Sequence, residues 1–105
     1  METKFAIPLT NNDRIFVEFK TDRGEVTTFI VKLICDIHGH SYEVMRYDSA
    51  HGSPHKDIMD TSGNVMRKVW YDYLSNSQAL TMAIDDIEDN HNFYRKRFIT
   101  WLRTN

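Results

Sequence analysis

The sequence predicts an α+β fold, a five-stranded, mostly antiparallel meander backed by one long C-terminal helix. Three observations lead there. Apolar and polar side chains alternate in successive segments of residues 14–71, with turn-forming residues between them. From residue 76 the apolar spacing changes to threes and fours. The connections between the alternating segments are too short for crossover helices, so neighbouring strands must run antiparallel. A chain of 105 residues suits one domain, with the sheet over residues 10–73 and the helix over residues 75–103.

The elements follow in order. Over residues 14–20, Ile15, Val17 and Phe19 alternate with Arg14, Glu18 and Lys20. Asp22-Arg23-Gly24-Glu25 supplies a turn. Residues 26–37 carry Phe29, Val31, Leu33, Cys35 and Ile37 on one face, with Ile30 and Ile34 on the other, so this strand is expected at the centre. His38-Gly39-His40 turns the chain, and its histidines read as solvated. Residues 41–48 and 55–59 form the third and fourth strands around the loop 49–54. Thr61-Ser62-Gly63-Asn64 turns again, and residues 65–71 form the fifth strand.

The helix shows Leu80, Ala83, Ile84, Ile87, His91, Tyr94, Phe98 and Trp101 on one stripe. Ser75 and Gln78 have the spacing of a capping box. Asp85, Asp86, Glu88 and Asp89 precede Arg95, Lys96, Arg97 and Arg103, the order that the helix dipole favours. His91 on this stripe reads as a core or interface histidine, and Trp70 and Trp101 as core or interface residues.

Length raises a question of fit. A helix over 76–102 is ~40 Å long, whereas eight-residue strands run only ~26 Å. An overhanging helix end carries Phe93, Tyr94, Phe98 and Trp101. Residues 5–9 can fold over that end, or the aromatics form the contact of a homodimer.

Composition narrows the function. Thirteen basic against fifteen acidic residues argue against a protein that coats nucleic acid, though not against a local basic patch. Cys35 is the single cysteine, so no internal disulfide forms, and its apolar surroundings predict an inert thiol. No signal-peptide pattern opens the chain and no apolar run approaches ~18 residues, so a cytoplasmic protein without a membrane partner is expected.

The chemistry concentrates in residues 46–57. Arg46, Asp48, His51, His55 and Asp57 surround a turn containing Gly52 and Pro54. If the loop is 49–54, Asp48 lies opposite His55 and Arg46 opposite Asp57. All four then share the sheet face away from the helix, with His51 above them on the loop.

Two cross-strand charge pairs on a solvated face would also explain the pattern, each contributing ~0.2–1 kcal/mol. The leading functional expectation is a metal-independent ribonuclease. RNA brings its own nucleophile, the 2′-OH, and two histidines suit the base and acid roles. Asp48 orients His55, and Arg46 grips phosphate, with Lys56, Arg67 and Lys68 extending a cationic track, although alternation points Lys56 to the opposite face. Such an enzyme uses no cofactor, and RNA is its partner. Two alternatives stand beside it. One is a metal-binding domain that uses Asp48, His51 and His55 as ligands. The other is a non-enzymatic module, antitoxin-like or phage-encoded, that binds a protein through the helix.

Over Arg46-Tyr47-Asp48-x-x-His51-Gly52-x-x-His55-x-Asp57 the chain resembles a group of small prokaryotic proteins with the same signature. It is also distantly similar to TumE-type toxins, whose short sheet-plus-helix chains carry an Arg-x-Asp element followed by histidines. That resemblance covers about residues 27–71. It implies an RNA-targeting toxin with a cognate antitoxin as partner, and Arg46, Asp48, His51 and His55 as its active residues. The spacing departs from the toxin pattern, because Gly52-Ser53-Pro54 separates the histidines.

Overall fold

In the computed structural model, which describes residues 1–104 except the His51 side chain, six strands precede one helix. The strands are β1 (Glu2–Pro8), β2 (Asp13–Asp22), β3 (Glu25–Ile37), β4 (His40–Asp48), β5 (His55–Met59) and β6 (Val65–Trp70). A 3-10 turn at Ala50–Gly52 separates β4 from β5, and α1 (Asn76–Thr104) follows β6. All neighbours pair antiparallel in sequential order, the expected meander.

The sheet has one strand more than the sequence led us to expect. Residues 2–8 form β1, in which Phe5 and Ile7 face Val17 and Ile15 of β2. Pro8 is tolerated because β1 is an edge strand, where the missing N–H is not needed by a second neighbour. Its neighbour Leu9 packs, with Ile7, at the margin of the core. Ile7 therefore pairs with β2 and also helps to cover the core.

The core lies between α1 and one face of the sheet. Ile15, Val17, Val31, Leu33, Cys35 and Met45 are fully buried there, against Ala79, Ala83 and Ile87 of the helix. The two alanines let the helix backbone approach the sheet, and burial of the larger aliphatic side chains stabilises by roughly 1.5–3 kcal/mol each. Cys35 behaves as expected: burial, reinforced by Asp13 nearby, pushes its thiol up to about 12.

Helix α1 runs alongside β3 in the same direction. Asn76 at its start donates to the Thr27 carbonyl (3.1 Å), and Arg95 donates to the Asp36 carbonyl (3.1 Å). The capping box forms, with Gln78 N–H donating to Ser75 Oγ (3.1 Å) and Ser75 N–H donating to Gln78 Oε1 (3.0 Å).

The overhang is smaller than eight-residue strands imply. At 13 residues β3 is ~43 Å long, and the 29-residue helix is the same ~43 Å. Of the four aromatics expected at an interface, Tyr94 and Phe98 are buried in the core and Trp101 is partly buried; Phe93 is the exposed one, at 60%. The helix is anchored at its middle as well. Tyr47 and Tyr94 donate to Asp86 at 2.6 and 2.7 Å, and Asp13 of β2 meets His91 (3.2 Å) and Arg95 (2.6 Å). Among the described residues no helix is long and apolar enough to cross a membrane.

Candidate functional site

Strand periodicity and register build the site on the sheet face away from α1. Asp48 pairs with His55, and Arg46 with Asp57, in the expected register. The pairing continues outwards on both sides. One row reads Ile30–Asp48–His55–Trp70, and the row beside it reads Lys32–Arg46–Asp57–Lys68. Side chains of paired residues share a face, so both rows line one surface.

A bulge keeps this phase. Between β3 and β4 the register shifts at Leu33/Ile34, so that Val44 is the extra residue. Val44 and Met45 are both buried, and the alternation from Arg46 onwards is undisturbed.

The centre of the site is closed. The Asp48, His55 and Asp57 side chains are only 8%, 1% and 1% exposed. His55 Nε2 lies 3.0 Å from Asp48 Oδ1 and 3.6 Å from Asp57 Oδ2. Its Nδ1 lies 3.1 Å from the Ser53 carbonyl. A carbonyl only accepts, so Nδ1 carries a proton. Carboxylates also only accept, so Nε2 must carry a second proton or face a cation.

Cations surround the carboxylates. Arg46 Nε is 3.2 Å from both Asp48 Oδ2 and Asp57 Oδ2, and Lys68 Nζ donates to Asp57 Oδ1 at 2.8 Å. Glu43 bridges Arg46 (3.4 Å) and Lys32 (3.2 Å). Among the described residues, three basic groups, Lys32, Arg46 and Lys68, thus balance three carboxylates, Glu43, Asp48 and Asp57. Burial alone would push the Asp57 carboxyl up. Hydrogen bonds from Lys68 and then Arg46, with the adjacent His55, outweigh burial and hold it below the usual carboxylate value.

The loop above the cluster is tied down at each end. Ala50 N–H donates to Asp48 Oδ1 (2.9 Å), Ser49 N–H donates to the Phe29 carbonyl (3.2 Å), and Phe29 N–H donates to Ser49 Oγ (3.0 Å). Tyr71 N–H donates to the Pro54 carbonyl (2.8 Å). Gly52 has φ +93°, a conformation that disfavours any other residue. His51 sits in this turn, and its side chain lies outside the described residues. Beside Asp48 a pocket of about 240 Å³ opens, lined among others by Lys20, Thr28, Ile30, Ser49 and Ala50.

The structure thus brings Arg46, Asp48, His55, Asp57 and Lys68 together. It separates the other two basic candidates from them. Lys56 is on the helix side of the sheet, its ammonium 5.7 Å from the Tyr47 ring centre and 6.0 Å from that of Tyr94. Arg67 pairs with Ile58, so it shares that opposite face. Two neighbours went unread in the sequence. Lys32 and Glu43 join through the β3–β4 pairing. Trp70, expected in a core or interface, lies 45% exposed beside His55. The parity that puts Lys68 opposite Asp57 also puts Trp70 opposite His55, and this was the signal available.

A family model described as a domain of unknown function, DUF7718, matches residues 1–104. No curated protein and no solved structure matches the chain.

Proposed function

The chain belongs to the DUF7718 family, a domain of unknown function, and we propose that it cleaves RNA without a metal ion. One observation carries this reading. Arg46 and Lys68, each about one-third exposed (31% and 32%), stand at the surface over a buried Asp48–His55–Asp57 group. A fixed cationic edge on a buried, charge-balanced base suits an anionic substrate and its phosphorane. The carboxylates that a metal would need already have Arg46 and Lys68 as counter-ions, which favours chemistry by proton transfer.

In that chemistry the 2′-oxygen bonds to phosphorus as its proton passes to a base. The bond from phosphorus to the 5′-oxygen then breaks, and the leaving oxygen takes a proton from an acid. His55 is engaged at both nitrogens, so its role is to position the hairpin and the Arg46 guanidinium through Asp48 and Asp57. We assign the mobile proton to His51, which the sequence places on the loop above the cluster. Arg46 and Lys68 hold the phosphate.

The test is cleavage of single-stranded RNA in EDTA, with wild type beside His51→Ala and Arg46→Gln. Cleavage by wild type, lost in His51→Ala and weakened in Arg46→Gln, supports the assignment. Wild-type RNA left intact in EDTA defeats it.

A second reading, a divalent metal centre, has its own support. Ligand atoms of Asp48, His55 and Asp57 lie within 4.8 Å of one another. The 3.0 and 3.6 Å separations from Nε2 suit adjacent ligands around one ion held at ~2.0–2.2 Å. The Nδ1 contact to the Ser53 carbonyl is the second contact that orients a metal-bound histidine. The ion would take the place of the Nε2 proton, and Arg46 would have to withdraw. Elemental analysis of untagged protein decides it: stoichiometric metal that is lost in His55→Gln favours this reading over the first.

A further inference from the structure

The row that runs across the hairpin ends in an indole with no place in the chemistry just described. Trp70 is 45% exposed, although tryptophan is among the side chains that gain most from burial. Its ring sits 4.8 Å from that of His55, centre to centre, at 50°. The Lys68 ammonium lies 5.4 Å from its ring centre while donating to Asp57. The indole is therefore held in place from the side of the cluster, and it sits beside the Lys68 ammonium. At the other end of the row, Ile30 and Asp48 border the pocket of about 240 Å³. The two ends are three strand spacings apart, ~14 Å.

We infer that Trp70 is a stacking platform for an unpaired base, and that the substrate is single-stranded RNA laid across strands β3 to β6. This deepens the ribonuclease reading and rests on it. A base stacked on Trp70 puts its own phosphate within reach of Lys68. The strand then crosses Arg46 and the Asp48–His55 pair towards the pocket. Stacking needs an open π-face and a splayed base, which a single strand offers and a paired A-form helix withholds. The near-neutral chain fits as well. With few net charges to attract a duplex backbone, base stacking carries a larger share of the affinity.

The experiment measures binding apart from cleavage. A fluorescently labelled 2′-O-methyl RNA of about ten nucleotides lacks the free 2′-OH, so it binds without being cut. Its affinity is taken by anisotropy for wild type, Trp70→Ala and Trp70→Phe, as a single strand and as a duplex. Far-UV circular dichroism and melting temperature establish that each variant is folded. Trp70→Ala should bind the single strand roughly tenfold or more weakly, at the scale of one lost base–aromatic stack. Trp70→Phe should recover most of that loss. The salt dependence should be unchanged in both, because no phosphate contact is removed. Equal affinity of Trp70→Ala and wild type, or tighter binding of the duplex, overturns the inference. The two proposals fail separately. Binding that needs Trp70, without cleavage of ordinary RNA, sinks the ribonuclease reading and keeps this one. Cleavage indifferent to Trp70→Ala does the reverse, and a wild type that neither binds nor cleaves removes both.

Discussion

Replacing His55 with alanine tests the description of the site more directly than any activity assay. The side chain is 1% exposed and meets Asp48 Oδ1 at 3.0 Å, the Ser53 carbonyl at 3.1 Å and the Trp70 ring at 4.8 Å. Truncation leaves a hole of the kind that costs about 2–5 kcal/mol in a core, and it removes a charged hydrogen bond that contributes about 1.5–3 kcal/mol. These terms overlap, and Trp70 at the surface can settle into the space. Asp48 keeps the Ala50 N–H and both carboxylates keep Arg46, so no charge is left without a counter-ion. The expected loss is therefore about 3–5 kcal/mol, the lost packing and the lost hydrogen bond together, less what Trp70 recovers. For a domain near this size that lowers the melting temperature by roughly 12–40 °C, at about 4–8 °C per kcal/mol. Urea denaturation followed by circular dichroism at neutral pH gives the value, with His55→Gln as a control that keeps an N–H donor towards Asp48. A loss under about 1 kcal/mol, on the scale of an exposed pair, would show that His55 is not enclosed between two carboxylates. The result also governs the cleavage assays. A His55→Ala protein that fails to cut RNA is informative only well below its own melting temperature.

Three further outcomes are expected. Asp57 has a folded value held below the ordinary carboxylate ~3.9, so its contribution is complete above about pH 4 and fades as pH falls through the lower folded value. Urea denaturation between about pH 2 and 5 should show that fall, and Lys68→Met should make it shallower; an unchanged slope refutes the Lys68–Asp57 contact. The Tyr47 and Tyr94 phenols are pushed up, first by burial and then by their hydrogen bonds to Asp86. Tyr47→Phe should accordingly leave the 295 nm absorbance change between about pH 9 and 11 unaltered, because Tyr47 stays protonated there. Its stability contribution is present below the ordinary value near 10 and is lost only as pH rises through the higher folded value. Gly52→Ala meets open space around the new Cβ but keeps φ at +93°, so a loss of about 1–2 kcal/mol from backbone strain alone is expected in denaturation. A neutral result would mean that the loop takes another conformation.

Much of the architecture is local, and local rules were enough to read it. Period-two alternation marks β2 to β6, and the change to threes and fours marks α1, because a side chain's direction follows from its own backbone. The capping box at Ser75 and Gln78 closes as its spacing requires. The pairing of Asp48 with His55 and of Arg46 with Asp57 also follows from counting, once the loop is bounded by Gly52 and Pro54.

What counting cannot supply is how far a residue lies from water or which distant segment adjoins it. Residues 2–8 alternate weakly and end in Pro8, so their identity as β1 depends on the free edge of β2, which the segment itself does not encode. The length of β3 sets how much of α1 overhangs, and so decides that Tyr94 and Phe98 are core residues, while Phe93 is exposed because it lies off the helix's apolar stripe. The surface pairs expected on a solvated face became an enclosed cluster because Lys32 arrives from β3 and Lys68 with Trp70 from β6. The sequence by itself determined which residues share a face. Only the tertiary structure decided that His55 lies beneath that face and Trp70 upon it, because exposure depends on neighbours brought from other strands.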